Sequence, residues 1–253
     1  IGLGEDVVND AYTGDIEITA QDQIEGVEQR LYDLATTGEV ERGAVELGSA
    51  AKTALQMAED AFKNKGKVVG VTTGLSLLDR KLGGLHPSDL IILAGRPSMG
   101  KTALATNIAF NAARAAQAKA KEGKTDEPGP CGPVLFFSLE MAAEQLATRI
   151  LSEQSEVPSD QIRRGEVEPD EFSRFVQASQ DLSSVPLLID DTPALSISAV
   201  RTRARRMKRQ HGGLSLILVD YLQLLQGPAG RRNENRVNEI GEISRGLKTL
   251  AKE

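Results

Sequence analysis

Apolar positions along this chain follow two spacings. Leu90 to Ala94 (LIILA), Val134 to Leu139 (VLFFSL), Leu187 to Ile189 and Leu214 to Val219 are short, nearly continuous apolar runs. Runs of that kind suit strands buried on both faces of a parallel sheet. Between them the apolar residues recur every three or four positions, which predicts helices. Ala105, Ile108, Ala109 and Ala112 mark one; Leu146, Ile150 and Leu151 mark a second from Met141 to about Ser152. Pro158 to Asp181 reads as helical and charged, Ser198 to Gln210 as a helix with Val200, Ala204 and Met207 inward, and Val237 to Lys252 as a helix using Ile240, Ile243, Leu247 and Leu250. Strands alternating with helices predict an α/β fold, a mostly parallel sheet flanked by helices.

The N-terminal quarter differs. Ile1 to Gln21 reads mostly as loop, Ile24, Val27, Leu31 and Leu34 mark a short helix stopped near Gly38, and a longer helix runs from about Ala44 to Lys65. That helix gathers Leu47, Ala51, Ala54, Leu55, Ala58 and Phe62 on one side. Two helices enclose no core alone, so this segment packs on the main domain or on another subunit. Gly66 to Gly70 reads as a hinge between residues 1–66 and 67–253. The next stretch, GVTTGLSLLDRKLGGL, reads as a short helix capped by Thr73 or Ser76, with Leu77, Leu78 and Leu82 inward and Gly83 as its stop. Lys121 to Pro133 is proline- and glycine-rich and polar, a surface connection.

Where the run Leu90–Ala94 ends, the chain reads GRPSMGKT. Gly95, Gly100, Lys101 and Thr102 satisfy G-x-x-x-x-G-K-[ST], the P-loop. Its backbone N–H groups turn inward around phosphate oxygens, and the following helix adds the positive end of its dipole. Ser98, Met99 and Ala103 belong to the same cradle, Lys101 reaches the β- and γ-phosphates, and the Thr102 hydroxyl ligates magnesium. Strand, loop and helix occur in the order that the phosphate site requires. The competing interpretation is a glycine turn joining a strand to a helix.

Composition narrows the class. The chain has 253 residues, 40% hydrophobic and 26% charged, ordinary for a protein with a buried core. A lone Cys131 excludes an intrachain disulfide, and no apolar stretch approaches the roughly 20 residues that span a bilayer. The chain begins with Ile1, which suggests a fragment of a longer protein. Its net charge of −6 is unevenly spread: residues 1 to 66 hold 5 Lys/Arg against 14 Asp/Glu, and the rest hold 25 against 22. The acidity belongs to the N-terminal segment, so a polyanionic partner for the remainder is not excluded.

Ligands in parallel sheets sit beyond the C-terminal ends of the strands, where this chain places Gly95, Glu140, Asp190, Asp191 and Asp220. A carboxylate after a buried strand suits magnesium, usually through water. Asp220 after LILV and Asp190 after LLI fit equally, and the other of the two is a helix cap or loop anchor. Glu140 is the candidate base for the attacking water; its alternative is a carboxylate that favours a helix start. His86 and His211 lack metal-ligand spacing. The basic residues Arg201, Arg203, Arg205, Arg206, Lys208 and Arg209 read as a solvated helix face that neutralises nearby carboxylates, in preference to the alternative of direct nucleic-acid contact. Arg231, Arg232 and Arg236, in GPAGRRNENR, have no evident structural need and suit the phosphates of a single strand; the alternative is a solvated loop. With aromatics at 4% and no Trp, stacking platforms are scarce, so any strand binding is backbone-dominated and salt-sensitive.

TTGLSLLDRKLGGL, LIILAGRPSMGKT, VLFFSLEM, LLIDDTP, LILVDYLQLL and NRVNEIGEISRGLKTLAKE together resemble the replicative DNA helicases of the DnaB type, in that family's order over most of Gly70 to Glu253. The resemblance implies a RecA-like P-loop NTPase domain in a homohexameric ring that hydrolyses ATP and moves on single-stranded DNA. It places Asp220 in the magnesium role and Glu140 as the catalytic glutamate. It further implies a cytoplasmic protein with no membrane partner, with primase and a helicase loader as partners, and a linker helix near Ala44–Lys65 that docks on a neighbouring subunit. The chain stops before the strands that in this family carry the γ-phosphate-sensing glutamine, the basic residues reaching a neighbour's ATP and the strand-gripping loop. The fragment alone is therefore expected to bind ATP poorly or to turn it over slowly. Two other RecA-like activities share these motifs: a recombination or repair ATPase without unwinding, and a nucleotide-gated assembly module that moves no DNA.

Overall fold

The computed structural model describes residues 45–63, 68–122, 132–226 and 236–253. The expectations for Ile1–Gln21, the Ile24–Leu34 helix, the core of the Gly66–Gly70 hinge, most of the Lys121–Pro133 connection, and Cys131, Arg231 and Arg232 lie outside these residues. The described elements are α1 (Leu47–Lys63), α2 (Ser76–Leu82), α3 (Lys101–Lys121), β1 (Val134–Ser138), α4 (Ala143–Ser155), α5 (Ser159–Arg164), α6 (Pro169–Leu182), β2 (Leu187–Asp190), α7 (Ile197–His211), β3 (Leu216–Asp220), a 3-10 turn at Leu222–Leu224, and α8 (Arg236–Lys252). The chain divides into two compact units, with α2 and everything after it in the second.

The three strands form a parallel sheet in the order β2-β1-β3. Central β1 is buried at all five positions, and its alternate side chains feed two cores. Leu135 and Phe137 pack with Val200 and Ala204 of α7 and Ile243, Leu247 and Leu250 of α8. Val134 and Phe136 face the other way, onto Ala109, Ala112 and Ala113 of α3 and Leu146 of α4. A continuous apolar strand is what such two-sided cover requires, and the small alanines let α3 approach closely. The expected parallel α/β architecture is therefore present.

Two local expectations are corrected. Leu90–Ala94 is not a strand of the sheet: among the described residues its backbone joins no ladder, and Ile91, Ile92 and Leu93 are 54%, 68% and 42% exposed. Both edges of β1 are already taken by β2 and β3, and no other described strand pairs with this run. The phosphate loop is instead held by α3, which packs along the sheet, and by Leu90, half-buried against the α7/α8 core.

The second correction concerns α2, whose buried residue is Asp79, while Leu77 and Leu82 are exposed. Its N-cap is Leu75 and carries no side-chain cap. Asp79 instead reaches back to the preceding turn, accepting from Thr73 N at 2.8 Å and from the hydroxyls of Thr73 and Thr72. Gly83, at φ 73, ends the helix as expected. The charged segment after Pro158 is helical as expected and consists of two helices, because Gly165 at φ 71 stops α5 and a capping box between Glu168 and Glu171 starts α6.

Candidate nucleotide site

The loop from Gly95 to Gly100 leads directly into α3. Gly100 is its N-cap at φ 79, a left-handed conformation in which glycine is favoured although no neighbour crowds it. Ser98 is the second left-handed residue, at φ 65, and Met99 is exposed. No side chain caps α3, so its first N–H groups are available to an anion. Lys101 and Thr102 are half-buried in the first turn, and Ala103 is exposed.

Lys101 Nζ lies 3.4 Å from Asp220 Oδ1 and 4.2 Å from the centre of the Tyr221 ring. Asp220, at 5% exposure, ends β3 opposite Ser138 of β1. Two residues on, the loop after β1 carries Glu140, exposed, and the preceding Leu139 N–H donates to the Asp220 carbonyl at 2.8 Å. The structure therefore brings Lys101, Asp220 and the Glu140 loop to one end of the sheet. Asp190 is not part of this group. Arg203 binds both of its carboxylate oxygens at 3.0 and 2.9 Å, and Thr192 N donates to it at 3.1 Å. Burial alone would raise the Asp190 pKa, but the Arg203 and Thr192 hydrogen bonds outweigh it and hold it below the ordinary value. Asp191 accepts from Ala143 N at 2.9 Å.

The donor set fits a nucleotide with its metal. Backbone amides and an ammonium suit phosphate oxygens, while a buried carboxylate and the Thr102 hydroxyl suit a hard cation. Among the described residues no cluster of three or more His, Cys, Asp or Glu is placed to hold a metal. A cavity of about 670 Å³ lies elsewhere, between α3, α4 and α6, with Arg114, Gln154 and Arg174 in its wall and no residue of the phosphate loop.

Most arginines of α7 are committed. Arg201 and Arg205 bind the Glu253 carboxylate, Lys208 its carbonyl, and Arg203 takes Asp190. This accounts for them as partners of nearby acids. Arg236 begins α8 and bonds Glu239 and the Gln223 carbonyl. Two features escaped the sequence reading: Tyr221 beneath Lys101, signalled only by an aromatic next to the strand-end acid, and the Asp191–Ala143 bond. The latter had a signal, since Met141-Ala142-Ala143 offers α4 no capping side chain of its own.

A parallel sheet, a phosphate loop capping a helix and a strand-end aspartate beside its lysine define a P-loop nucleotide-binding domain. Residues 70–253 match the family model described as the DnaB-like helicase C terminal domain, and the chain belongs to that family. It is 48% identical over all of its length to the replicative DNA helicase DnaB of Rickettsia conorii, of which it covers 50%. It is 44% identical over 188 residues to that of Geobacillus stearothermophilus, covering 74% of this chain and 38% of the relative. Among solved structures, one ATPase domain superposes with a TM-score of 0.68 at 27% identity, over 82% of this chain and 68% of that one. A DnaB-like replicative helicase, solved in a study of its interactions with primase, shares the fold with a TM-score of 0.67 at 24% identity, over 99% of this chain and 54% of that one. The chain spans about half the length of the curated relatives it matches.

Proposed function

We propose that this chain carries the ATP-driven motor of a replicative DNA helicase, which moves on single-stranded DNA and unwinds duplex as a homohexameric ring. The observation that carries this reading is the placement of Lys101 3.4 Å from Asp220 at the start of α3, with the Glu140 loop bonded to the Asp220 carbonyl. In the proposed reaction, amides of the Gly95–Gly100 loop and the α3 N-terminus hold the β- and γ-phosphate oxygens. Lys101 leaves Asp220 for those oxygens and offsets the charge that builds as the β–γ bridge breaks. Thr102 and Asp220 would hold Mg2+, which when bound neutralises phosphate charge and orients the γ-phosphate. Glu140 aligns the attacking water and accepts its proton.

Residues 1–66 in this reading are the end of an N-terminal domain with its linker, and 67–253 the ATPase domain. The apolar side of α1, with Leu47, Leu55 and Phe62 exposed, supports docking on a neighbouring subunit. Single-stranded DNA, primase and a loader are the further partners, the primase suggested by the structural relative and the loader by family resemblance alone. A cytoplasmic location belongs to the same reading; no described helix is long and apolar enough to cross a membrane.

The test uses the complete protein. Glu140→Gln is expected to lower ATP turnover by about a hundredfold or more while nucleotide affinity stays within about twofold. Wild-type turnover in that variant would remove Glu140 from the role. ATP-dependent separation of a forked duplex supports the helicase, whereas strand binding and hydrolysis without separation would favour a recombination-type ATPase. Absence of DNA binding would favour an assembly module.

A further inference from the structure

The loop between β1 and α4 carries Glu140, and its geometry rests on three hydrogen bonds. Leu139 N donates to the Asp220 carbonyl at 2.8 Å, Ser138 Oγ donates to the Met141 carbonyl at 2.6 Å, and Ala143 N donates to Asp191 Oδ2 at 2.9 Å. The first two tie the loop to its own strand and to β3. The third comes from a residue 48 positions later in sequence. It is also the cap that α4 otherwise lacks, since Ala142 at the N-cap offers no acceptor.

Asp191 is held in place by its neighbour. Asp190 pairs in register with Phe137 of β1, and its carboxylate is gripped by Arg203 and Thr192. The end of β2 is thereby fixed on both its backbone and its side-chain sides, and the next carboxylate is aimed at α4. Glu140 itself makes no hydrogen bond or ion pair among the described residues. Its position is therefore set by the backbone on either side, which Asp191 anchors at the α4 end.

We infer that Asp191 is a positioning residue for Glu140, holding the β1–α4 loop so that the glutamate carboxylate meets the attacking water. This rests on the reading of Glu140 given above. Asp191 touches neither nucleotide nor water in this scheme, and it contributes nothing to phosphate affinity. Its loss should therefore appear in turnover and not in binding, whereas a merely structural cap would affect neither selectively.

The experiment compares D191A, D191N, E140Q and the double variant E140Q/D191A in the complete protein. D191A is expected to lower kcat about tenfold, with KM and the Kd for a fluorescent ADP analogue changed by less than about twofold. D191N should stay within about threefold of the wild type, because its amide oxygen still accepts from Ala143 N. The double variant should turn over no more slowly than E140Q alone, and hydrogen exchange across Leu139–Ala143 should quicken in D191A but not in D191N. Should D191A fail to fold, Asp191→Glu keeps the charge, displaces the acceptor by one methylene and should lose part of kcat at constant KM. Wild-type kcat in D191A alongside an inactive E140Q overturns the positioning role alone. Equal losses in D191A and D191N, or a loss expressed in KM, overturn it as well. Full turnover in E140Q overturns the Glu140 reading, and the role of Asp191 falls with it.

Discussion

Asp79 is only 7% exposed, and burial by itself would raise its pKa; the hydroxyls of Thr72 and Thr73 and the Thr73 amide more than offset this and hold it below the ordinary carboxylate value. Such a group stabilises the fold fully above its unfolded pKa, near 3.9, and the contribution is lost as pH falls from there through the lower folded value. Asp79→Asn keeps an acceptor but removes the charge. We expect it to cost about 2 kcal/mol at pH 7 and to flatten the fall in stability below about pH 4. Denaturant melts at pH 7 and pH 3.5 measure both; a variant with wild-type stability at pH 7 would refute the account. The consequence reaches the site, since Asn111 Nδ2 on α3 donates to the Thr73 carbonyl at 3.2 Å and so ties this turn to the helix that starts with Lys101. Asp190 and Asp220 end similar apolar runs, and only their neighbours, Arg203 and Lys101, separate them. Side-chain partners distant in sequence leave no mark in local spacing, which is why the residues alone left the two acids tied.

Helix positions were legible wherever an apolar stripe faced the sheet: Ala109 and Ala112 of α3, Leu146 and Ile150 of α4, Val200 and Ala204 of α7, and Ile243, Leu247 and Leu250 of α8 are all buried. Leu90–Ala94 carries the same apolar signal without a pairing partner among the described residues, because composition reports a wish for burial and not the neighbour that provides it. On α2 the pattern misled for the opposite reason, as a carboxylate with three donors outcompeted two leucines for the interior. The α7–α8 contact depends on a feature that periodicity does not report. A Cβ on Gly246 would stand 2.5 Å from Ile197 Cγ1, so the helices approach through the missing side chain. Gly246→Ala gains about 1 kcal/mol of helix propensity but overpacks a buried isoleucine by about 1–3 kcal/mol. The expected result is a melting temperature lower by a few degrees, roughly 2–4 °C per kcal/mol in a domain of this size. Gly241, in the same helix, has nothing within 4 Å, and Gly241→Ala should raise it. A Gly246→Ala protein that melts higher than the wild type would mean the two helices part without cost.

Residues 1–66 are acidic and the remainder slightly basic, so the proposed contact with a nucleic-acid strand belongs to the second. The three arginines proposed for that contact are not equivalent. Arg236 is already satisfied at the start of α8 by Glu239 and the Gln223 carbonyl, so moving it to a phosphate exchanges one set of bonds for another. Arg231 and Arg232 lie outside the described residues, and their case rests on sequence. Each phosphate neutralised on a single strand contributes about 0.7 to the slope of log K against log salt, so Arg231→Ala with Arg232→Ala should reduce that slope by about 1.4. Arg236→Ala should reduce it by well under 0.7, roughly, since an arginine paired within the protein releases few counterions. Fluorescence anisotropy of a labelled oligothymidine over a salt series, on the complete protein with a non-hydrolysed ATP analogue, gives the slopes directly. An unchanged slope in the double variant would place the strand elsewhere on the protein. A larger change from Arg236 than from the pair would mean that the bonds to Glu239 and Gln223 open when DNA binds.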